Sequence, residues 1–218
     1  MNSREIILQR IQETAQAANL PQPEPPPVPE VWPETGADRE AMLQRFADEL
    51  QTVQGELVRC GSVDEARAKL AELVREDGWT SLGAMDRAPC RELAEGLDGA
   101  SVVWDPAEGD ARQMADLSAG LVSADHLLAD TGSCVVACLT ASDRMLCYLP
   151  PVSVVTARVE NLLEHMPALW EHLVPLAKEP ERRGEHVIIT GPSRTADIEK
   201  ILILGVHGPK RLVVLLID

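Results

Sequence analysis

The sequence predicts an α/β fold, a mostly parallel sheet flanked by helices, with an N-terminal helical appendage. Two observations carry that expectation. Short β-rich apolar runs alternate with stretches whose apolar residues recur at helical spacing, a pattern that implies parallel strands joined by right-handed helical crossovers. The core must also be aliphatic: 45% of the 218 residues are apolar, yet the aromatics amount to four Trp, one Tyr and one Phe. Aliphatic runs of this kind suit strands covered on both faces.

The elements follow in order. Asn2 and Glu5 form a capping-box pattern, and Ile6, Ile7, Ile11 and Ala15 then make a helical stripe, so residues 1–20 are assigned to an N-terminal helix. Seven prolines between Pro21 and Pro33 remove backbone donors and favour an extended course, so residues 21–37 read as a linker. The remaining residues, 38–218, form the α/β domain. Asp38 caps a helix carrying Met42, Phe46, Leu50 and Val53 on one face. Glu56–Cys60 reads as a strand, and Ser62 with Glu65 opens a helix that buries Ala66, Leu70, Leu73 and Val74. Ser101–Trp104, Cys134–Leu139 and Val152–Thr156 read as strands. Val159, Leu162, Leu163, Met166, Leu169 and Trp170 mark a helix, and His186–Thr190 and Leu212–Ile217 are β-rich again.

A formal net charge of −15 argues against a protein whose work is gripping nucleic-acid phosphates or anionic lipid, which are drawn by clustered Lys and Arg. No apolar run approaches the roughly 18 residues a membrane-spanning helix needs, and the N-terminus lacks the form of a signal peptide, so the expected location is the cytoplasm. Five scattered cysteines without a C-x-x-C pair do not describe a disulfide framework. Cys134 and Cys138 sit in a β-rich run and read as buried strand thiols. A cluster held by this chain alone needs more closely grouped ligands than these. No cofactor or metal is therefore expected in this chain, and His126, His165, His172 and His186 carry no metal-ligand signature. His165 and His172 fit a solvated helix face.

Three stretches can carry chemistry. Gly191-Pro-Ser-Arg-Thr-Ala-Asp197 follows a strand-like run and precedes an expected helix. Loops at strand ends form crevices, and helix N-termini offer free N–H groups to anions. Gly191 gives the turn, Ser193 and Thr195 offer hydroxyl donors, Arg194 offers a fork for a carboxylate or phosphate, and Asp197 is placed to orient one of them or accept a proton. The same pattern also describes an ordinary helix start. Gly205-Val-His-Gly208 forms a tight turn whose His207 can reach an anion or act as acid or base, although a turn histidine is more often a structural hydrogen bonder. In Asp130-Thr-Gly-Ser133, Thr131 and Ser133 offer donors and Gly132 permits a bend; the competing reading is a hairpin turn without a ligand. Neither a phosphate loop nor a dinucleotide fingerprint is present.

Taken in order, Asp130-Thr-Gly-Ser133, Leu149-Pro-Pro-Val152, Ile189-Thr-Gly-Pro-Ser-Arg-Thr-Ala-Asp-Ile-Glu199 and Leu204-Gly-Val-His-Gly-Pro209 resemble the motifs of the lactate-utilisation (LUD) domain, specifically its C-type proteins. The likeness is strongest from about Ala124 to Asp218. It implies a fold similar to the superfamily of ribose-phosphate isomerase, glucosamine-phosphate deaminase and CoA-transferase. It further implies a part in bacterial oxidation of L-lactate to pyruvate, with the iron–sulfur clusters in partner proteins.

Two functions then compete. One is a component of a lactate-oxidising system that binds a small carboxylate or phosphate-bearing ligand, or docks iron–sulfur partners. The other is a stand-alone isomerase or acyl-transfer enzyme for a phosphorylated or CoA-linked substrate, with Asp197 or His207 as the acid–base group. A scaffold joined through its N-terminal helix and linker is a third, plainer possibility.

Overall fold

The computed structural model describes residues 3–17, 35–106, 111–176, 178–179, 184–196, 202–205 and 207–218. The chain divides into two compact units, residues 1–33 and 34–218. In the first, Ser3–Ala17 form helix α1, on which Ile6, Ile7, Leu8 and Ile11 are exposed. The Asn2 cap and the Pro21–Pro33 stretch lie outside the described residues.

The second unit opens with α2 (Arg39–Thr52), capped where the Asp38 carboxylate accepts from the Ala41 N–H at 2.8 Å. Its Leu43, Phe46 and Leu50 are buried. Next come β1 (Glu56–Cys60), α3 (Val63–Glu76), β2 (Ser81–Ala84), α4 (Ala88–Ala94), β3 (Ser101–Trp104), α5 (Ala111–Ala115) and β4 (Ala119–Ser123). In α3 the Ser62 hydroxyl accepts from Glu65 N–H, while the Glu65 carboxylate reaches back to Gly61 N–H, one residue beyond the usual capping-box partner. The chain continues through β5 (His126–Leu128), β6 (Ser133–Cys138), α6 (Ala141–Tyr148), β7 (Val152–Arg158), β8 (Leu162–Leu163), α7 (Met166–Leu176), β9 (Glu185–Ile189), β10 (Arg194–Ala196), β11 (Leu202–Leu204) and β12 (Arg211–Ile217).

Six strands form a parallel sheet in the order β1-β12-β7-β4-β2-β3, with α3 packed on α4, β1 and β12, and α6 packed on β4. The aliphatic core lies here. All five residues of β4 are buried, and Leu212 to Ile217 of β12 are at most 3% exposed. Fully burying one such Leu or Val side chain is worth about 1.5–3 kcal/mol, so the last strand, central between β1 and β7, stabilises the whole sheet. β2 and β4 escape the sequence pattern because each is short and includes a glycine. At Gly83 a Cβ would lie 2.5 Å from the Leu117 side chain.

A second sheet, not expected from the sequence, runs β8-β5-β6-β9 and is largely antiparallel. It corrects two expectations. The stretch Val159–Trp170 is not one helix: Val159–Asn161 make a single 3-10 turn, Leu162–Leu163 pair with β5, and α7 begins only at Met166, where Pro167 in the first turn is compatible with helix entry. His165 is not on a solvated helix face either. It is 8% exposed, and its Nδ1 accepts from the Ala168 N–H at 3.2 Å.

Candidate functional site

The expected helix after Gly191 is absent among the described residues. Arg194–Ala196 instead pair antiparallel with Leu202–Leu204, so the motif folds as a β-ribbon. The local reason is visible in the sequence: Pro192 has no N–H to give, and the Ile-Leu-Ile-Leu run at 201–204 is β-prone. Backbone bonds close the base of the ribbon, from Ser193 N–H to Pro209 O and from Gly205 N–H to Ser193 O, both 2.8 Å. The turn that holds His207 is thereby fastened to the loop that holds Ser193.

Against this base lies a crevice of about 180 Å³, lined by Thr190, Gly191, Ser193, His207, Gly208 and Pro209, by Val187 to Ile189 of β9, by Cys147 and Tyr148 at the end of α6, and by Ser153 and Leu212. Ser153 and Leu212 are each the second residue of their strands, so the crevice abuts the amino ends of β7 and β12. The sequence reading placed the site at a strand's carboxyl end and a helix N-terminus. The residues do follow the carboxyl end of β9, but β9 runs antiparallel to β6 in the second sheet.

Of the residues singled out in the sequence, the fold brings Gly191, Ser193, His207 and Gly208 together on the crevice. His207 is exposed, and Gly208 approaches Ser193 so closely that a Cβ would stand 3.0 Å from the Ser193 Cβ. Arg194 is exposed and outside the lining; Gly205, half-buried, also lies outside it, and its φ of +72° supports the turn. Thr195 has its backbone in β10, and Asp197 lies outside the described residues.

Thr131, Gly132 and Ser133 belong to the hairpin between β5 and β6 and do not line the crevice. Ser133 is buried. Its hydroxyl donates to Thr131 Oγ1 at 2.8 Å and lies 2.7 Å from Thr190 Oγ1, one side chain away from the crevice. Gly132 serves packing: with φ at +62°, its missing Cβ would sit 2.2 Å from the Leu50 backbone nitrogen. Gly191 meets the same helix end, its missing Cβ 2.5 Å from the Val53 carbonyl oxygen.

Sequence reasoning missed Cys147, Tyr148 and Ser153. The last is the most telling, since Ser153 is 1% exposed and its Oγ has no hydrogen-bond partner. Leaving a buried hydroxyl unsatisfied costs about 1–3 kcal/mol. Thr156 Oγ1 and His165 Nε2 are likewise buried without a partner among the described residues, and of the three residues Ser153 is the one that lines the crevice. The only sequence signal was its place just after Leu149-Pro-Pro-Val152.

Three thiols, those of Cys90, Cys134 and Cys147, are made poor nucleophiles by their environment. Burial pushes Cys90 and Cys134 up to about 12. The Cys147 thiol is pushed up by its hydrogen bond to Cys138 and by burial, and the same bond draws Cys138 down. Burial, then Glu185, also raises the Tyr148 phenol. Among the described residues no group of three or more His, Cys, Asp or Glu is arranged to hold a metal ion. No described helix is long and apolar enough to cross a membrane.

A second feature adjoins α6. Arg87, at the start of α4, donates to Asp143 Oδ2 at 3.0 Å and to the Ala137 carbonyl, and stands 3.5 Å from Asp125. Asp143 is 4% exposed and also accepts from the Leu139 N–H at 2.9 Å. This knot fixes the end of β6 against the start of α6.

Comparison with known proteins matches this architecture. The chain is 36% identical over 171 residues to Uncharacterized protein YkgG of Escherichia coli (strain K12), covering 74% of each chain. It is 37% identical over 99 residues to Lactate utilization protein C of Bacillus pumilus (strain SAFR-032), covering 45% of this chain and 41% of that protein. The protein of that name from Macrococcus caseolyticus (strain JCSC5402) is 22% identical over 188 residues, covering 84% of this chain and 81% of the relative. A crystal structure of a DUF162 family protein from Deinococcus radiodurans superposes with a TM-score of 0.64 at 19% identity, over 84% of this chain and 99% of that one, a likeness of fold. The LUD domain description matches residues 43–217, from α2 to the last residue of β12. With every strand from β1 to β12 inside that match, the chain belongs to the LUD domain family.

Proposed function

We propose that this chain takes part in lactate utilisation, and that the crevice between α6, β9 and the His207 turn receives a small carboxylate of the size of lactate or pyruvate. The single observation that carries the reading is the unpartnered, buried Ser153 hydroxyl on the crevice wall. Two further features favour an anion. In a chain of net charge −15, the crevice is lined by no carboxylate, and its exposed ionisable groups are the His207 imidazole and the Tyr148 phenol. A 2-hydroxy acid also needs an acceptor for its hydroxyl, and the Tyr148 carbonyl lies beside Gly208 to supply one. In this reading Ser193 and His207 hold the carboxylate and Ser153 completes its hydrogen bonds. Oxidation proceeds together with iron–sulfur partner proteins. The names of the Bacillus and Macrococcus relatives support the pathway.

Calorimetric titration of the full chain with L-lactate and with pyruvate tests this. Saturable binding of at least one acid is expected, weakened about tenfold, or about 1.4 kcal/mol, in Ser153→Ala and in His207→Ala. Removing an unpaired hydroxyl leaves Ser153→Ala as stable as the parent or slightly more so, which separates lost affinity from lost folding. Binding of sugar phosphates but of neither acid would transfer the crevice to the isomerase-like alternative.

A further inference from the structure

Cys138 closes β6 and Cys147 lies in the last turn of α6, and their sulfurs are 3.9 Å apart. Both are at most 4% exposed, but Cys147 lines the crevice, which gives a small oxidant a way in. The pair is held in place from both sides. The Arg87 guanidinium grips the Ala137 carbonyl next to Cys138 and the Asp143 carboxylate one helical turn before Cys147. The Cys147 sulfur also lies 3.3 Å from the Asp143 carbonyl oxygen. Cys60, Cys90 and Cys134 are likewise free and buried.

We propose that Cys138 and Cys147 form a peroxide-sensitive dithiol, which closes to a disulfide in the wall of the crevice. The Cys138 sulfur attacks one peroxide oxygen, the O–O bond breaks, and a sulfenic acid forms as water leaves. The Cys147 sulfur then attacks the Cys138 sulfur, the S–O bond breaks, and the departing hydroxide leaves as water with the Cys147 proton. Two thiols lose two electrons in all, and one hydrogen peroxide becomes two waters. The contact between the two sulfurs draws the Cys138 thiol down and pushes the Cys147 thiol up, which assigns Cys138 the first attack. Closure brings the sulfurs from 3.9 Å to about 2.05 Å and draws the end of α6 toward β6. Since Cys147 and Tyr148 belong to the crevice wall, oxidation changes the shape of the crevice. That consequence rests on the proposed binding of a small acid; formation of the disulfide does not.

The test treats the native full-length chain with hydrogen peroxide, quenches it, and counts thiols after denaturation. Five thiols are expected to fall to three, with a mass loss of about 2 Da. Trypsin cleaves after Arg144, so Cys138 and Cys147 leave on separate peptides that stay joined only through the disulfide. Fragmentation of the joined pair distinguishes Cys138 from Cys134, which shares its peptide. Dithiothreitol restores five thiols, and Cys138→Ser, with an unchanged unfolding midpoint, gives no joined pair. Five remaining thiols, a link to another cysteine, or over-oxidation of Cys138 without a link each overturns the proposal. A severalfold change in affinity for L-lactate on oxidation, absent in Cys138→Ser, is expected in the same samples. If the reduced protein binds neither lactate nor pyruvate, the binding reading fails while the thiol result stands.

Discussion

At the scale of single residues, burial rather than residue type decides which groups are available for chemistry. Ser153 and Ser133 are both buried serines, yet Ser133 is fully engaged between Thr131 and Thr190 while Ser153 has no partner. His126 shows the same control by environment. It lies half-buried with its ring centroid 4.8 Å from that of His172, in a hollow shared with Arg87, Asp125 and His186. Burial lowers its proton affinity, His172 and His186 lower it further, and Asp125 opposes them. The unfolded chain therefore takes up this proton first. The stability contributed is complete above the ordinary value of 6.5 and is lost as pH falls through the lower folded value. Urea midpoints measured from about pH 7.5 down to about pH 5 should decline, and less steeply in His126→Gln. Parallel curves for the two proteins would remove His126 as the cause. Glu72, Asp86 and Glu164 are lowered from their own ordinary values of 4.5, 3.8 and 4.5, so their loss belongs to a more acid window.

At the scale of elements, the glycines that suggested a ligand loop are explained first by a close approach. Gly132 and Gly191 come from different sheet-end loops, and both let the end of α2 pack against the second sheet's rim. Gly132→Ala should cost about 3 kcal/mol, since it adds a methyl group to a left-handed residue whose neighbour is backbone rather than a movable side chain. Denaturant unfolding measures it; a loss below about 0.5 kcal/mol would show that α2 can shift aside. The β10–β11 ribbon teaches the complementary lesson. Ser-Arg-Thr-Ala-Asp fits a helix start by composition, but a helix would leave the Leu202–Leu204 run without a partner, and strand pairing satisfies both segments.

At the scale of the whole molecule, the two sheets are joined by β4 running into β5 and by the ionic knot at Arg87. Asp125 follows β4, Ala137 lies in β6, and Asp143 opens α6, so one guanidinium ties three elements of different layers. Removing it strands a buried carboxylate. Arg87→Ala should destabilise by about 3 kcal/mol, roughly 6–12 °C in melting temperature for a unit this size. Arg87→Ala combined with Asp143→Ala should recover part of that loss, because the uncompensated charge is gone. A double variant at least as unstable as the two losses added would show that the residues act independently.

The sequence by itself determined the fold class, the strands β1, β3, β6, β7, β9 and β12, the capped helices α2 and α3, and the family. These rest on periodicity, cap residues and motif order, all of which are local signals. It also pointed to four crevice residues, Gly191, Ser193, His207 and Gly208, since turn-forming glycines with polar neighbours stand out in a chain. Tertiary structure alone decided the second sheet, the ribbon in place of a helix, and the meeting of Ser153, Cys147 and Tyr148 with the His207 turn. The physical reason is that pairing partners and orphaned hydroxyls are set by contacts between distant segments. A serine in a β-rich run looks the same in the sequence whether its hydroxyl is satisfied, as at Ser133, or left without a partner, as at Ser153.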